Sequence, residues 1–245
     1  MLDSMHMTFL QSDIDELREK YASVLDDQLY EGQLDAAFAI YDLLLKRRYE
    51  RYKFALSLLD NEPDLKGNDE IENDREKSPF PKTVEEADKL WEARVKYEII
   101  NLHLKDKKWP EIKKTLAKRY NLAIKRLTQT KADDILQTYL NSFALEIDPH
   151  TNFLSPRSAK AFQESMNLSL EGIGATLSME DDVTTIKSLV PGAPAARSKR
   201  IAVNDKIVGV GQGESGPIED VIGWRLDDVV DKIKGKKGSK VRLEI

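Results

Sequence analysis

Glycine divides this chain more sharply than any other residue. Ten of its 12 glycines lie between Gly172 and Gly238, and only Gly32 and Gly67 come earlier. Aromatic residues show the opposite bias, with Trp224 alone after Phe162. Glycine costs a helix interior conformational entropy, so long glycine-poor stretches suit helices, while glycine every few residues suits short strands and tight turns. The distribution predicts an α+β chain that changes architecture near residues 160–168. Its 245 residues correspond to one or two domains at about 150 residues each.

The first region reads as helices. Ser12 is placed to cap a helix through Leu29, with Ile14, Leu17, Tyr21, Leu25 and Leu29 on one stripe and Gly32 as the stop. Leu34, Phe38, Tyr41, Leu45, Tyr49, Tyr52, Leu56 and Leu59 then recur every three or four residues, as a helical period demands. Residues 61–82 hold three prolines and 11 charges without a period, which predicts a long loop. Thr83-Val84-Glu85-Glu86 reads as a capping box opening a helix to about His103. Pro110 suits the first turn of a helix carrying Ile112, Leu116, Ala123 and Leu127. A fifth helix holds Ile135, Tyr139, Phe143 and Ile147, and Asp148-Pro149 ends it.

The second region alternates. Strands are expected at Val183–Val190, closed by Pro191-Gly192, at Lys206–Val210 and at Lys240–Ile245. Leu226, Val229, Val230 and Ile233 form a short amphipathic helix stopped by Gly235. Glu180-Asp181-Asp182 reads as a hairpin turn ahead of a calcium site, since further oxygen ligands are lacking. The last strand has no turn after it, so the chain reads as cut before a final strand.

Composition narrows the chemistry. A net charge of −5 gives no bulk attraction to nucleic acid or anionic lipid, and no run of 18 apolar residues can span a membrane. The absence of cysteine excludes disulfides, a cysteine nucleophile and thiolate metal sites, and it suits an oxidising compartment. The first residues lack a basic stretch followed by an apolar one, so either the protein is cytosolic or the chain starts downstream of its signal. Three scattered histidines offer no metal-binding spacing, and no cofactor is expected. His150 beside Asp148 suggests a triad, but an Asp-Pro turn with a polar neighbour accounts for both. The nine basic residues between Lys105 and Arg126 read as a solvated helix face paired with acidic neighbours rather than a nucleic-acid patch.

One motif points to binding. In Leu170-Glu171-Gly172-Ile173-Gly174-Ala175-Thr176-Leu177 a glycine pair lets backbone N–H groups converge on an anion, and the strand that follows offers an edge to an extended peptide. Alone, such a pair is more often an ordinary turn or bulge than a ligand loop.

Its context carries a resemblance. Pro191-Gly192-Ala193-Pro194-Ala195-Ala196 and Val203-Asn204-Asp205-Lys206-Ile207-Val208-Gly209-Val210-Gly211 resemble the PDZ domains of bacterial proteases. Asp148-Pro149-His150-Thr151-Asn152-Phe153-Leu154-Ser155-Pro156 lies upstream and Gly223-Trp224-Arg225-Leu226-Asp227-Asp228-Val229-Val230 downstream, in the expected order. Together with Lys46-Arg47-Arg48-Tyr49-Glu50-Arg51-Tyr52, they are similar to the carboxy-terminal processing protease family in its Gram-negative, tail-specific form. Asn204 departs from the pattern, which usually has glycine there; asparagine tolerates positive φ.

The resemblance implies a helical region over 1–164 that begins inside the family's domain. A PDZ domain over 165–245 follows, a small β-barrel or sandwich with a short helix, lacking its last strand. It implies the substrate-recognition part of a secreted, periplasmic serine endopeptidase that binds apolar protein C-termini. The catalytic serine and lysine would lie in a domain absent from this chain, which alone would be inactive. Gly172, Ile173, Gly174 and Ala175 would hold the carboxylate, and Ile173, Ala175, Leu177, Leu226 and Val229 would line the pocket for the last residue. Protein substrates are the implied partners, with an adaptor protein as a further candidate. The rival reading is a non-catalytic PDZ adaptor or scaffold.

Overall fold

The computed structural model describes residues 2–67, 70–72, 74–166, 172–236 and 238–245. Asp69 of the acidic loop, Leu170 and Glu171 of the glycine motif, and Lys237 lie outside the described residues. The chain divides into two compact units, Met1–Ser155 and Pro156–Ile245.

The first unit is helical: α1 (Gln11–Tyr21), α2 (Leu25–Tyr30), α3 (Asp35–Ser57), α4 (Val84–His103), α5 (Trp109–Thr128) and α6 (Ala132–Ile147). The single helix expected from Ser12 to Leu29 is two, broken after Tyr21. Ser12 is not its cap. Leu10 holds the cap position, and the Asp13 carboxylate accepts its N–H at 2.8 Å. Asp13 is buried because Arg47 of α3 grips both carboxylate oxygens, each at 2.8 Å, and that hydrogen bonding raises the Arg47 pKa above its ordinary value. A partner 34 residues away thus outcompetes the local serine.

Helix α3 packs against α4, α5 and α6. Its most buried positions are Ala36, Ala37, Leu44, Arg51 and Ala55, rather than the row from Leu34 to Leu56. Small residues at the seam let helices approach, and the larger Tyr52, Phe54 and Leu56 pack from its flanks. The core joins Ala55 and Leu59 to Trp91, Val95, Ile99 and Leu102 of α4 and Ile112, Leu116 and Tyr120 of α5. Burial pushes the Tyr120 phenol up, beside the Glu98 carboxylate. The Thr83 hydroxyl caps α4 by accepting the Glu86 N–H at 3.3 Å, and Pro110 sits in the first turn of α5 as expected. Nothing described between α3 and α4 is helix or strand. The end of that stretch is pinned where Phe80 stacks on His6 at 3.9 Å and the Pro81 carbonyl accepts the Gln11 N–H at 2.8 Å.

The second unit opens with α7 (Pro156–Met166). It continues through β1 (Ala175–Glu180), β2 (Val183–Leu189), α8 (Pro194–Ser198), β3 (Lys206–Ile207), β4 (Gly209–Gln212), β5 (Ile218–Asp220), α9 (Leu226–Ile233) and β6 (Val241–Glu244). The strands form two antiparallel three-stranded sheets, ordered β1-β2-β3 and β5-β4-β6. Asp181 and Asp182 turn the β1–β2 hairpin with φ of +49° and +66°, the twist that a two-residue loop between antiparallel strands requires. Asn204 takes φ of +74°, as its place in the glycine-type turn anticipated. The strand expected at Lys206–Val210 is split between the sheets, and Val208 between β3 and β4 donates its N–H to the Glu244 carbonyl at 2.9 Å. Gly209 has a packing reason: a Cβ there would lie 2.6 Å from Ile218 Cγ2 and 2.8 Å from a Glu244 carboxylate oxygen. Ile186, Ile207, Val210, Val221, Val229 and Ile233 make the core.

Candidate functional site

The residues singled out in the second unit converge. Ile173, Ala175 and Leu177 pack, half-buried, against the core that contains Val229. Strand β1 is an edge strand among the described residues, with β2 on one side, and α9 packs against β1. Val229 is 0% exposed, so it belongs to the core and has no surface to offer a ligand. Leu226 keeps partial exposure, and so does Val230, which shares its helix face at i,i+4 and carries no signal in the sequence that sets it apart from Val229.

The glycine loop is fixed by its carbonyls. The Ala195 N–H donates to the Ile173 carbonyl and the Val190 N–H to the Gly174 carbonyl, each at 2.9 Å. In a planar trans peptide the N–H points opposite to the C=O. The N–H groups of Gly174 and Ala175 are therefore turned away from the Val190–Ala195 turn that holds their carbonyl partners. Gly174 needs to be glycine: its φ is +72°, and a Cβ would fall 2.1 Å from Ala193 Cβ. Gly172, exposed and with φ of +157°, has nothing within 4 Å of a Cβ position.

Other candidates assemble no chemistry. The Asp148 carboxylate accepts the His150 backbone N–H at 3.0 Å and the Thr151 hydroxyl at 2.8 Å, contacts that hold its pKa below the ordinary carboxylate value. It closes a turn after α6 and does not orient the imidazole. Lys107 pairs with Glu111 at 2.6 Å, and Lys113 lies 3.9 Å from Asp60, so part of the basic run is spent on local acids. A cavity of about 340 Å³ in the helical unit is lined by Leu25, Ala37, Ile40, Tyr139 and Phe143, with Glu146 the one charged side chain among its lining residues. Burial raises the Tyr139 phenol there. Among the described residues no three His, Cys, Asp or Glu side chains gather as a metal site, and no helix is long and apolar enough to cross a membrane.

Known proteins account for both units. The family described as the tail specific protease N-terminal domain matches residues 1–157, well over half of the chain. The chain belongs to the tail-specific protease family. A PDZ domain matches residues 162–245. The tail-specific protease of Haemophilus influenzae is 70% identical over 244 residues, covering 100% of this chain and 35% of that protein. The carboxy-terminal processing protease CtpA of Bacillus subtilis is 37% identical over 98 residues, 40% of this chain and 20% of that one. The chain thus spans about a third of its tail-specific relative and a smaller part of CtpA. A crystal structure of the PDZ domain of a carboxy-terminal protease from Vibrio cholerae, in complex with peptide, is 64% identical where aligned. The alignment covers 30% of this chain and 74% of that one, with a TM-score of 0.29.

Proposed function

We propose that this chain is the substrate-recognition portion of a secreted, periplasmic serine endopeptidase of the tail-specific protease family. Its second unit captures the apolar C-terminus of a protein by strand addition to β1. The observation that best supports this is the loop preceding β1, whose carbonyls at Ile173 and Gly174 are tied down while the next two N–H groups are turned the other way. Those N–H groups, with that of Ile173, receive the terminal carboxylate. Half-buried Ile173, Ala175 and Leu177 on one side and Leu226 with Val230 on the other receive the last side chains. Fully buried Val229 supports the helix from within. In the whole protease a serine activated by lysine cuts the tethered polypeptide, and tethering raises the effective concentration of substrate without new contacts at the scissile bond.

The test is calorimetric titration of the 245-residue chain with a decapeptide ending Ala-Leu-Val, as free acid and as C-terminal amide. The acid should bind and the amide should lose about 1.5–3 kcal/mol, the worth of hydrogen bonds to a charged group. Equal affinities would reject the carboxylate loop.

A further inference from the structure

One ion-pair cluster of the second unit is not used by the binding reading: Arg157 in the first turn of α7 bridges two carboxylates of α9. One guanidinium nitrogen lies 3.0 Å from Asp228 Oδ1 and the other 2.9 Å from Asp231 Oδ2. Asp228 and Asp231 stand three residues apart on a common face of α9. Further contacts tie α9 to the rest of the unit. Val229 and Ile233 enter the core, Lys232 pairs with Glu219 of β5 at 2.7 Å, and the Gln212 side-chain amide of β4 donates to the Lys232 carbonyl. Leu226, proposed for the groove, stands two residues before Asp228 on the same helix.

We infer that Arg157 is a positioning residue for the peptide groove: by gripping Asp228 and Asp231 it helps to hold α9 in place against β1, so that docking of α7 and occupancy of the groove favour one another. This rests on the reading that the groove between β1 and α9 binds C-termini. Coupling of binding equilibria is reciprocal. If the clamp raises peptide affinity by some factor, peptide must stabilise docked α7 by the same factor.

The experiment uses the full chain and the free-acid decapeptide ending Ala-Leu-Val. Arg157→Ala should weaken binding about threefold, the scale expected of a partly exposed ion pair. Arg157→Lys should restore part of the loss, because an ammonium keeps the charge but cannot fork to both acids. Asp231→Asn, at the more exposed arm, should give a smaller loss without threatening the fold. Peptide should slow amide exchange across Pro156–Met166 in the wild-type chain and no longer do so in Arg157→Ala. A purely structural role for Arg157 would not produce that peptide-dependent protection. Equal affinities of wild type, Arg157→Ala and Asp231→Asn, or α7 exchange indifferent to peptide, would overturn the inference while leaving the groove intact. No binding by the wild-type chain would overturn the groove reading and this inference together.

Discussion

The two units are held together by different parts of the polypeptide. In the helical unit side chains do the work: Leu44, Leu59, Ile112 and Leu116 are all but inaccessible to solvent, and Arg47 and Arg51 reach across to Asp13 and Asp88. In the second unit Ile186, Ile207, Val210, Val221 and Val229 are equally inaccessible, but they stand largely on short strands and turns, where backbone pairing and turn geometry set the shape. Among the described residues β1 is an edge strand of its sheet. Shrinking a buried side chain should therefore injure whichever unit holds it, while substitutions that constrain backbone should injure chiefly the second, where most of the positive-φ glycines lie.

The largest effect sharpens the first half of that contrast. Leu116 is 0% exposed between α3 and α4, and Leu116→Ala should destabilise the helical unit by about 2–5 kcal/mol, the transfer loss plus an unfilled cavity. Urea unfolding followed through buried Trp91 measures it. Affinity for the decapeptide should not change; a parallel loss of binding would show that the two units do not divide the labour this way.

The second effect is smaller and tests the backbone half. Gly174→Ala adds one methyl group in a left-handed conformation, which costs about 1–3 kcal/mol for a non-glycine residue, and its Cβ meets Ala193 as well. Amide exchange in β1 and β2 should quicken and peptide binding should weaken, with the melting of the helical unit unaltered. Gly172→Ala meets no neighbouring atom but is strained by its φ of +157°, so it isolates the backbone cost from the clash with Ala193. If Gly174→Ala leaves both exchange and affinity unchanged, the loop is an ordinary turn.

The same contrast explains what the sequence revealed. Thr83 and Pro110 announce helix starts because their chemistry acts within one turn of the chain. The paired acids at Asp181 and Asp182 announce a hairpin for the same reason. Ser12 misled because the decisive partner of its neighbour Asp13 is Arg47, which no local pattern exposes. The apolar row from Leu34 gave a helix but not its buried line, since burial on three sides by α4, α5 and α6 favours the small Ala37 and Ala55. β5 escaped notice because three residues, Ile218-Glu219-Asp220, are too few for an alternation to register. In the groove, Gly172–Leu177 was marked by its glycines and by the family resemblance. A helix pattern identifies the apolar stripe of Leu226, Val229 and Val230 without saying which positions stay open, so it does not separate buried Val229 from half-exposed Val230.

The smallest effect concerns the turn at Asp148, where backbone and side chain share the work. Its carboxylate accepts first from the His150 backbone N–H and then from the Thr151 hydroxyl, so its folded pKa lies below the ordinary value of 3.8. A depressed carboxylate pKa stabilises the folded state above the unfolded pKa, and that contribution fades as pH falls through the folded one. Asp148 should therefore add a slight acid dependence confined to pH below about 4, and none near neutrality. Carboxyl NMR titration should place its midpoint below 3.8, and Asp148→Ala should remove its share of the acid limb of thermal melting. His150→Ala should leave the midpoint in place, because the bond to Asp148 comes from the backbone of His150 and survives the substitution. A midpoint that rises in His150→Ala would mean that the imidazole itself engages the carboxylate. The pairing set aside as a turn would then need to be reconsidered as an acid–base couple.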